Sequence, residues 1–165
     1  MRSLKIALLA TVATAALSSA TFAADLIISE PMIDNTFSTG FDWEGPYAGL
    51  WIGGYTAPGA FALGADLGVN VLLDSSLLAG FEGNIAWLSN STWEGQVHGR
   101  LGFVADSALF YGLVGVGTNS GAGVFVPVGV GVEFGLADSL SLKAEYNYQF
   151  ITNVHVGKVG FNWHF

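Results

Sequence analysis

The sequence contains no cysteine, which excludes disulfides and thiolate-bound metals. It is also poor in charge. Asp, Glu, Lys and Arg make up 11% of the 165 residues, against roughly 25% in an average soluble domain. So few charges leave a water-facing surface hard to cover. Cations are the scarcest, with five Lys and Arg against 13 Asp and Glu. No basic patch exists, which argues against nucleic-acid binding. No Gly-x-Ser-x-Gly motif or phosphate loop is present. The longest apolar run of residues 42–165 does not read as a helix. Gly121–Ala137 is nearly all apolar, yet a helix through it would meet Pro127 and five glycines.

The chain does have a three-part start. Met1–Lys5 is short and basic, Ile6–Leu17 is apolar, and small residues lead to Ala23. This is the layout of a secretory signal over residues 1–23, cleaved after Ala23. The apolar core of about 12 residues is too short to cross a ~30 Å hydrocarbon layer as a helix. Arg2 and Lys5 lie in this leader, so cleavage leaves Arg100, Lys143 and Lys158 against 13 acids, a net charge of −10. Residues 24–41 show no repeat and read as a periplasmic lead-in.

Turn chemistry then recurs. Asp74-Ser75, Asp106-Ser107 and Asp138-Ser139 are spaced by 32 residues. Pro58-Gly59, Asn90-Ser91, Asn119-Ser120-Gly121 and Thr152-Asn153 fall between them. A turn about every 16 residues allows one strand of ~9–11 residues plus a connection, enough to cross a membrane at a tilt. The expected segments are 46–55, 61–72, 77–87, 93–103, 108–117, 123–135, 140–150 and 154–165. The fold class expected is all-β: an eight-stranded antiparallel up-and-down transmembrane β-barrel over residues 42–165.

The segments alternate with period two, except that the fifth does so poorly. In the sixth, Val124, Val126, Val128, Val130, Val132 and Phe134 share one face, with Pro127, Gly129, Gly131 and Glu133 on the other. In the seventh, Ala144, Tyr146, Tyr148 and Phe150 lie opposite Lys143, Glu145, Asn147 and Gln149. Alternation alone does not say which face looks outward, because a soluble barrel has the same period with apolar residues inside. Scarce charge and banded aromatics favour apolar outside. Trp43, Tyr47, Phe103, Phe110, Phe134, Trp163 and Phe165 fall near one end. Tyr55, Phe61, Trp87, Trp93, Tyr148 and Phe150 fall near the other. Two girdles are expected where rings sit at both headgroup levels.

The inward polar residues expected to form a lumen network are Asp66, Glu82, Glu94, His98, Arg100, Glu133, Lys143 and Glu145. Reflection about Asp138 pairs Glu133 with Lys143 as a cross-strand ion pair. Reflection about Asp74 sets Asp66 opposite Glu82, and reflection about Asn90 sets Glu82 opposite His98, with Arg100 on the diagonal. The structural reading of this cluster outweighs that of a charged gate or narrow cation path. His98, His155 and His164 fall on separate levels, so no metal site and no cofactor is expected, and no catalytic residue is assigned.

The chain closes on an alternating apolar face of Val159, Phe161, Trp163 and Phe165. A terminal Phe on such a strand reads as the signal recognised by the outer-membrane barrel-assembly machinery. Several further stretches carry a family likeness, among them Asp42–Leu50, Gly80–Trp87, His98–Phe103, Leu109–Gly112, Gly131–Phe134, Ser141–Tyr146 and Val159–Phe165. In this order the chain resembles the small alphaproteobacterial outer-membrane β-barrel family that includes porin-like surface antigens and haemin-binding proteins. The resemblance covers about residues 42–165. It implies a cell-envelope protein of a Gram-negative bacterium, among outer-membrane lipids and lipopolysaccharide, with a structural or porin-like role. Haem binding at the surface is the alternative, with single-histidine contact at His155. A lipid-modifying barrel enzyme is the third reading, but no Ser and His are spaced to meet on a lipid-facing rim. The expected outer loops near 56–60, 88–92, 118–122 and 151–153 are short for ligand capture.

Overall fold

The computed structural model describes residues 40–57 and 59–165. The expected leader and the lead-in up to residue 39 lie outside the described residues. Eight strands follow: β1 Gly45–Tyr55, β2 Ala60–Leu72, β3 Leu77–Leu88, β4 Trp93–Ala105, β5 Ala108–Asn119, β6 Gly123–Ala137, β7 Leu140–Phe150 and β8 Val154–His164. All lie within two residues of the segments expected from turn chemistry and alternation. Each strand pairs antiparallel with the next, and β1 pairs with β8 through Tyr47 opposite His164, which closes the ring. Closure gives both neighbours to every strand, so no edge is left for lipid or water to solvate.

The connections alternate between two ends. The terminal end carries the start of β1, the end of β8 and the β2–β3, β4–β5 and β6–β7 turns. Two of these turns are only two residues long, Asp106-Ser107 and Asp138-Ser139. Asp106 takes φ 56°, a left-handed conformation that Asp tolerates better than most residues. The loop end carries the other four connections. The ladder between β5 and β6 is interrupted between the Val114–Val128 and Gly117–Phe125 pairs, beside Pro127. Proline has no N–H to donate there.

The apolar face is the outer face. Val128, Val130 and Tyr146 are 41%, 61% and 48% exposed. A water-soluble barrel would bury them. Phe103, Phe110, Phe134 and Trp163 ring the terminal end from outside, and Phe61, Trp87, Trp93 and Phe150 ring the loop end. These rings match the expected girdles. Trp43, Tyr47 and Tyr55 do not join them. All three are buried inside the barrel. For Tyr47 and Tyr55 the reason is strand parity, because both share β1's inward face with Trp51.

Inward rings need room, and glycine on the neighbouring strand supplies it. Trp51 stands opposite Gly64 on one side and Gly160 on the other. A Cβ at either position would overlap Trp51. Tyr47 lies opposite Gly68 in the same way, Tyr111 opposite Gly131 and Phe125 opposite Gly117. The poor alternation of β5 has a related cause. Its inward Leu109, Tyr111 and Leu113 are as apolar as its outward side chains.

Candidate functional site

The lumen is layered. At the terminal end, Trp43, Leu78, Leu109, Tyr111 and Leu113 form a buried cluster with Phe41, Leu72 and Val104 packed on it. At the loop end, Trp51, Tyr55, Ala60, Ala62, Ala86, Leu88, Val154 and Val156 form a second cluster. The polar residues lie between or beside these two plugs. Eight strands enclose a lumen just wide enough for side chains to fill, and here they fill it except for one pocket at the loop end.

Arg100 is at the centre of one half of the network. Its Nη1 donates to Glu133 Oε1 at 2.7 Å and lies 3.5 Å from Glu82 Oε2. Nε and Nη2 both donate to Asn70 Oδ1, at 3.1 and 2.9 Å. The guanidinium lies 4.5 Å from the Tyr47 ring centre and 4.9 Å from that of Tyr111. This is close enough for both π faces to attract it. Tyr47 Oη donates to Glu82 Oε2 at 2.5 Å.

Lys143 organises the other half. Its Nζ donates to Asp66 and lies 3.5 Å from Glu82 Oε1. Asn84 donates to the same Asp66 carboxylate. Lys158 Nζ donates to Glu145 Oε1 at 2.9 Å and sits 4.8 Å from the Trp51 ring centre. Glu145 also accepts from Tyr111 Oη at 3.2 Å. Every one of these charged groups is at most 5% exposed. A buried charge is tolerable only with such partners.

The eight residues expected in the lumen are all buried there, but two expected pairings differ. Glu133 does stand opposite Lys143, yet no ion pair joins them. The ammonium turns to Asp66 and Glu82, while Glu133 takes Arg100, Ser141 Oγ at 3.1 Å and Asn162 Nδ2 at 3.0 Å. Asp66 stands opposite Asn84 rather than Glu82. The β2–β3 turn is centred on Ser75, since Leu72 pairs with Leu78. Moving the centre by one residue moves the register by two. Glu82 does stand opposite His98, and His98 Nε2 is 3.3 Å from Glu82 Oε1.

Sequence reasoning does not assign Lys158, Tyr47, Trp51, Ser141, Asn162 and His164 to the lumen, where the fold buries all six. The fold brings His164 to Ser141 on the neighbouring strand. Ser141 Oγ lies 3.1 Å from His164 Nε2, and Glu133 Oε2 lies 3.8 Å from that same nitrogen. A Ser-His-acid triad needs the acid on the other ring nitrogen. Here His164 Nδ1 has no partner among the described residues. Ser141 is fully buried, and the His164 ring packs against Phe41, Trp43 and Tyr47. No substrate carbonyl reaches that hydroxyl.

One further grouping has metal-ligand types. The ligand atoms of Glu82, His98 and Glu145 lie within 4.8 Å of one another. Their carboxylates already face Lys143, Arg100 and Lys158, so ammonium and guanidinium groups fill the place a cation would take. His155 lies outside the lumen, exposed near the loop end. Its Nδ1 is 2.6 Å from Tyr146 Oη, and Tyr148 packs beside its ring.

No protein-family model matches the chain, and no curated protein matches it. Solved structures do share its architecture. The outer membrane enzyme PagL superposes with a TM-score of 0.62 at 10% identity, covering 72% of this chain and 99% of PagL. The N-terminal β-barrel domain of Pseudomonas aeruginosa OprF gives 0.57 at 11% identity, covering 74% and 98%. Ail, the attachment invasion locus protein of Yersinia pestis, gives 0.54 at 16%, covering 74% and 99%. At these identities the likeness establishes the fold, that of the small outer-membrane barrels, and function has to be argued from the site.

Proposed function

We propose that this chain is a structural protein of the outer membrane, a closed barrel that adds a rigid wall to the envelope without conducting solutes. One observation carries the reading. The lumen holds a buried apolar cluster toward each end, with an interlocked charge network between and beside them. A porin-like path would need water along its length, and each plug would have to open for it.

The setting follows from the surface. Leu50, Leu63, Leu67, Val130 and their neighbours would face acyl chains, and the two aromatic girdles would sit at the headgroups. The leader over residues 1–23 would export the chain. The face of Val159, Phe161, Trp163 and Phe165 would be read by the barrel-assembly machinery. The terminal end, with Asp42, Glu44, Asp74, Asp106 and Asp138, would face the periplasm. The loop end would lie among lipopolysaccharide as a small surface antigen. Its short connections, 56–59, 89–92, 120–122 and 151–153, carry no Asp, Glu, Lys or Arg.

Planar-bilayer recording on protein refolded in detergent tests the reading. The expected record is flat, with no discrete current steps at either polarity. Reproducible steps that vanish on replacing Arg100 or Lys143 would overturn it in favour of a gated path.

A further inference from the structure

One carboxylate stands apart from the network. Glu94 on β4 is 2% exposed, yet among the described residues it forms no ion pair. Its partners are all neutral. Tyr55 Oη donates to Oε1 at 2.8 Å, Gln149 Nε2 donates to the same oxygen at 3.0 Å, and Asn119 Nδ2 donates to Oε2 at 3.3 Å. The cations of the lumen are committed elsewhere: Arg100 to Glu133, Lys143 to Asp66 and Lys158 to Glu145. Neutral donors offset only part of the cost of burying a charge.

Glu94 lines a pocket of about 260 Å³ at the loop end. Leu88, Val154, Ala57 and Ala122 supply apolar wall, and Tyr55 lines the pocket beside Glu94. The loop-end plug shares Tyr55, Leu88 and Val154 with this pocket, so buried apolar side chains form part of its wall.

We propose that this pocket binds a small aliphatic amine as its ammonium ion, with the charge on Glu94 and the alkyl stem against Leu88 and Val154. A hard metal ion fits less well. Calcium takes six to eight oxygen ligands, about 2.3–2.6 Å away, and here one carboxylate is offered with three donors already on it. The nearby amide oxygens are held by their own loops. Asn119 Oδ1 accepts from Gly121 N at 2.9 Å, and Asn90 Oδ1 accepts from Thr92 Oγ1 at 2.6 Å. An ammonium needs few acceptors and brings an apolar body for the apolar wall. The inference does not depend on whether the barrel conducts or which way it is inserted.

The test uses the full barrel refolded in zwitterionic micelles, observed by backbone amide NMR. Titration with n-butylammonium should shift the amides of Thr92, Gly121 and Thr152 saturably. Butan-1-ol, of similar shape without charge, should leave them unmoved at equal concentration, as should calcium chloride. Glu94→Gln should weaken amine binding by roughly tenfold or more. Ala122→Trp, which fills the pocket and keeps Glu94, should abolish binding even if Glu94→Gln fails to fold. Absence of saturable shifts, equal response to butan-1-ol, calcium acting in place of the amine, or unchanged affinity in both variants would each overturn the proposal.

Discussion

Lys143 is a lysine only 1% exposed, held by Asp66 and close to Glu82. Removing one partner of a buried ion pair strands the other, which costs roughly 3–5 kcal/mol. Lys143→Met should therefore lower barrel stability by about that amount, read as the urea unfolding midpoint in lipid vesicles. Adding Asp66→Asn should restore part of the loss, because the stranded charge is gone and Glu82 keeps Arg100. A double variant no more stable than the single would mean the ammonium contributes by packing alone. At this scale the sequence was only partly legible. Alternation puts Asp66, Glu82, Glu94, His98, Arg100, Glu133, Lys143 and Glu145 on one set of faces, and the scarcity of charge together with the banded aromatics makes those faces the inward ones. It could not say which acid each cation reaches, because a long Lys or Arg stem chooses among carboxylates on three or four strands. Lys143 and Glu133 share a register position and still look away from each other.

Strands were the most legible level. Turn residues marked both ends of each one, and parity then fixed faces wherever inside and outside differ in polarity. β5 lacks that contrast, since Leu109 and Leu113 belong to a plug. The β2–β3 register slipped because its four-residue turn does not centre on the Asp of its Asp-Ser pair, whereas the β4–β5 and β6–β7 pairs fill two-residue turns. Tyr47 and Trp51 face inward, and the signal for this lay across the strand border: Gly68 and Gly64 opposite them. A valine at position 64 should collide with Trp51, and Gly64→Val should lower stability by roughly 1–3 kcal/mol. Trp51→Ala in the same chain should make that substitution nearly harmless, a non-additivity that a two-by-two unfolding cycle measures. β8 offers a separate test of its terminal face. Phe165 is 79% exposed and holds its neighbour through a backbone bond to Pro46. Phe165→Ala should leave the unfolding midpoint within about 0.5 kcal/mol, while the amount of folded barrel recovered from cells falls. Unchanged cellular yield would remove the assembly role from this residue.

For the whole barrel, an inverted arrangement of polarity ties the fold to its solvent. Charge in place of an outward valine should cost stability according to depth. Val130 lies midway along β6 and Val124 at its loop end. Val130→Arg should destabilise the refolded barrel by roughly 2–4 kcal/mol, and Val124→Arg by about 0–1 kcal/mol. Equal costs at the two sites, measured by reversible unfolding from vesicles, would show that no hydrocarbon belt surrounds β6. The overall architecture was legible because an all-antiparallel ring closes only on an even count of strands, and eight segments of similar length are visible in the chain.

The confinement of Arg100, Lys143 and Lys158 to the lumen, each at most 3% exposed, has a chemical consequence. Within residues 40–165 these are the only positions at which trypsin cleaves and the only side-chain amines or guanidinium an acylating or dicarbonyl reagent finds. The assembled barrel therefore turns a blank face to both, and the same polypeptide becomes cuttable and taggable at three points once the ring opens. Digestion or dye uptake thus doubles as a count of unassembled molecules, with no engineered reporter.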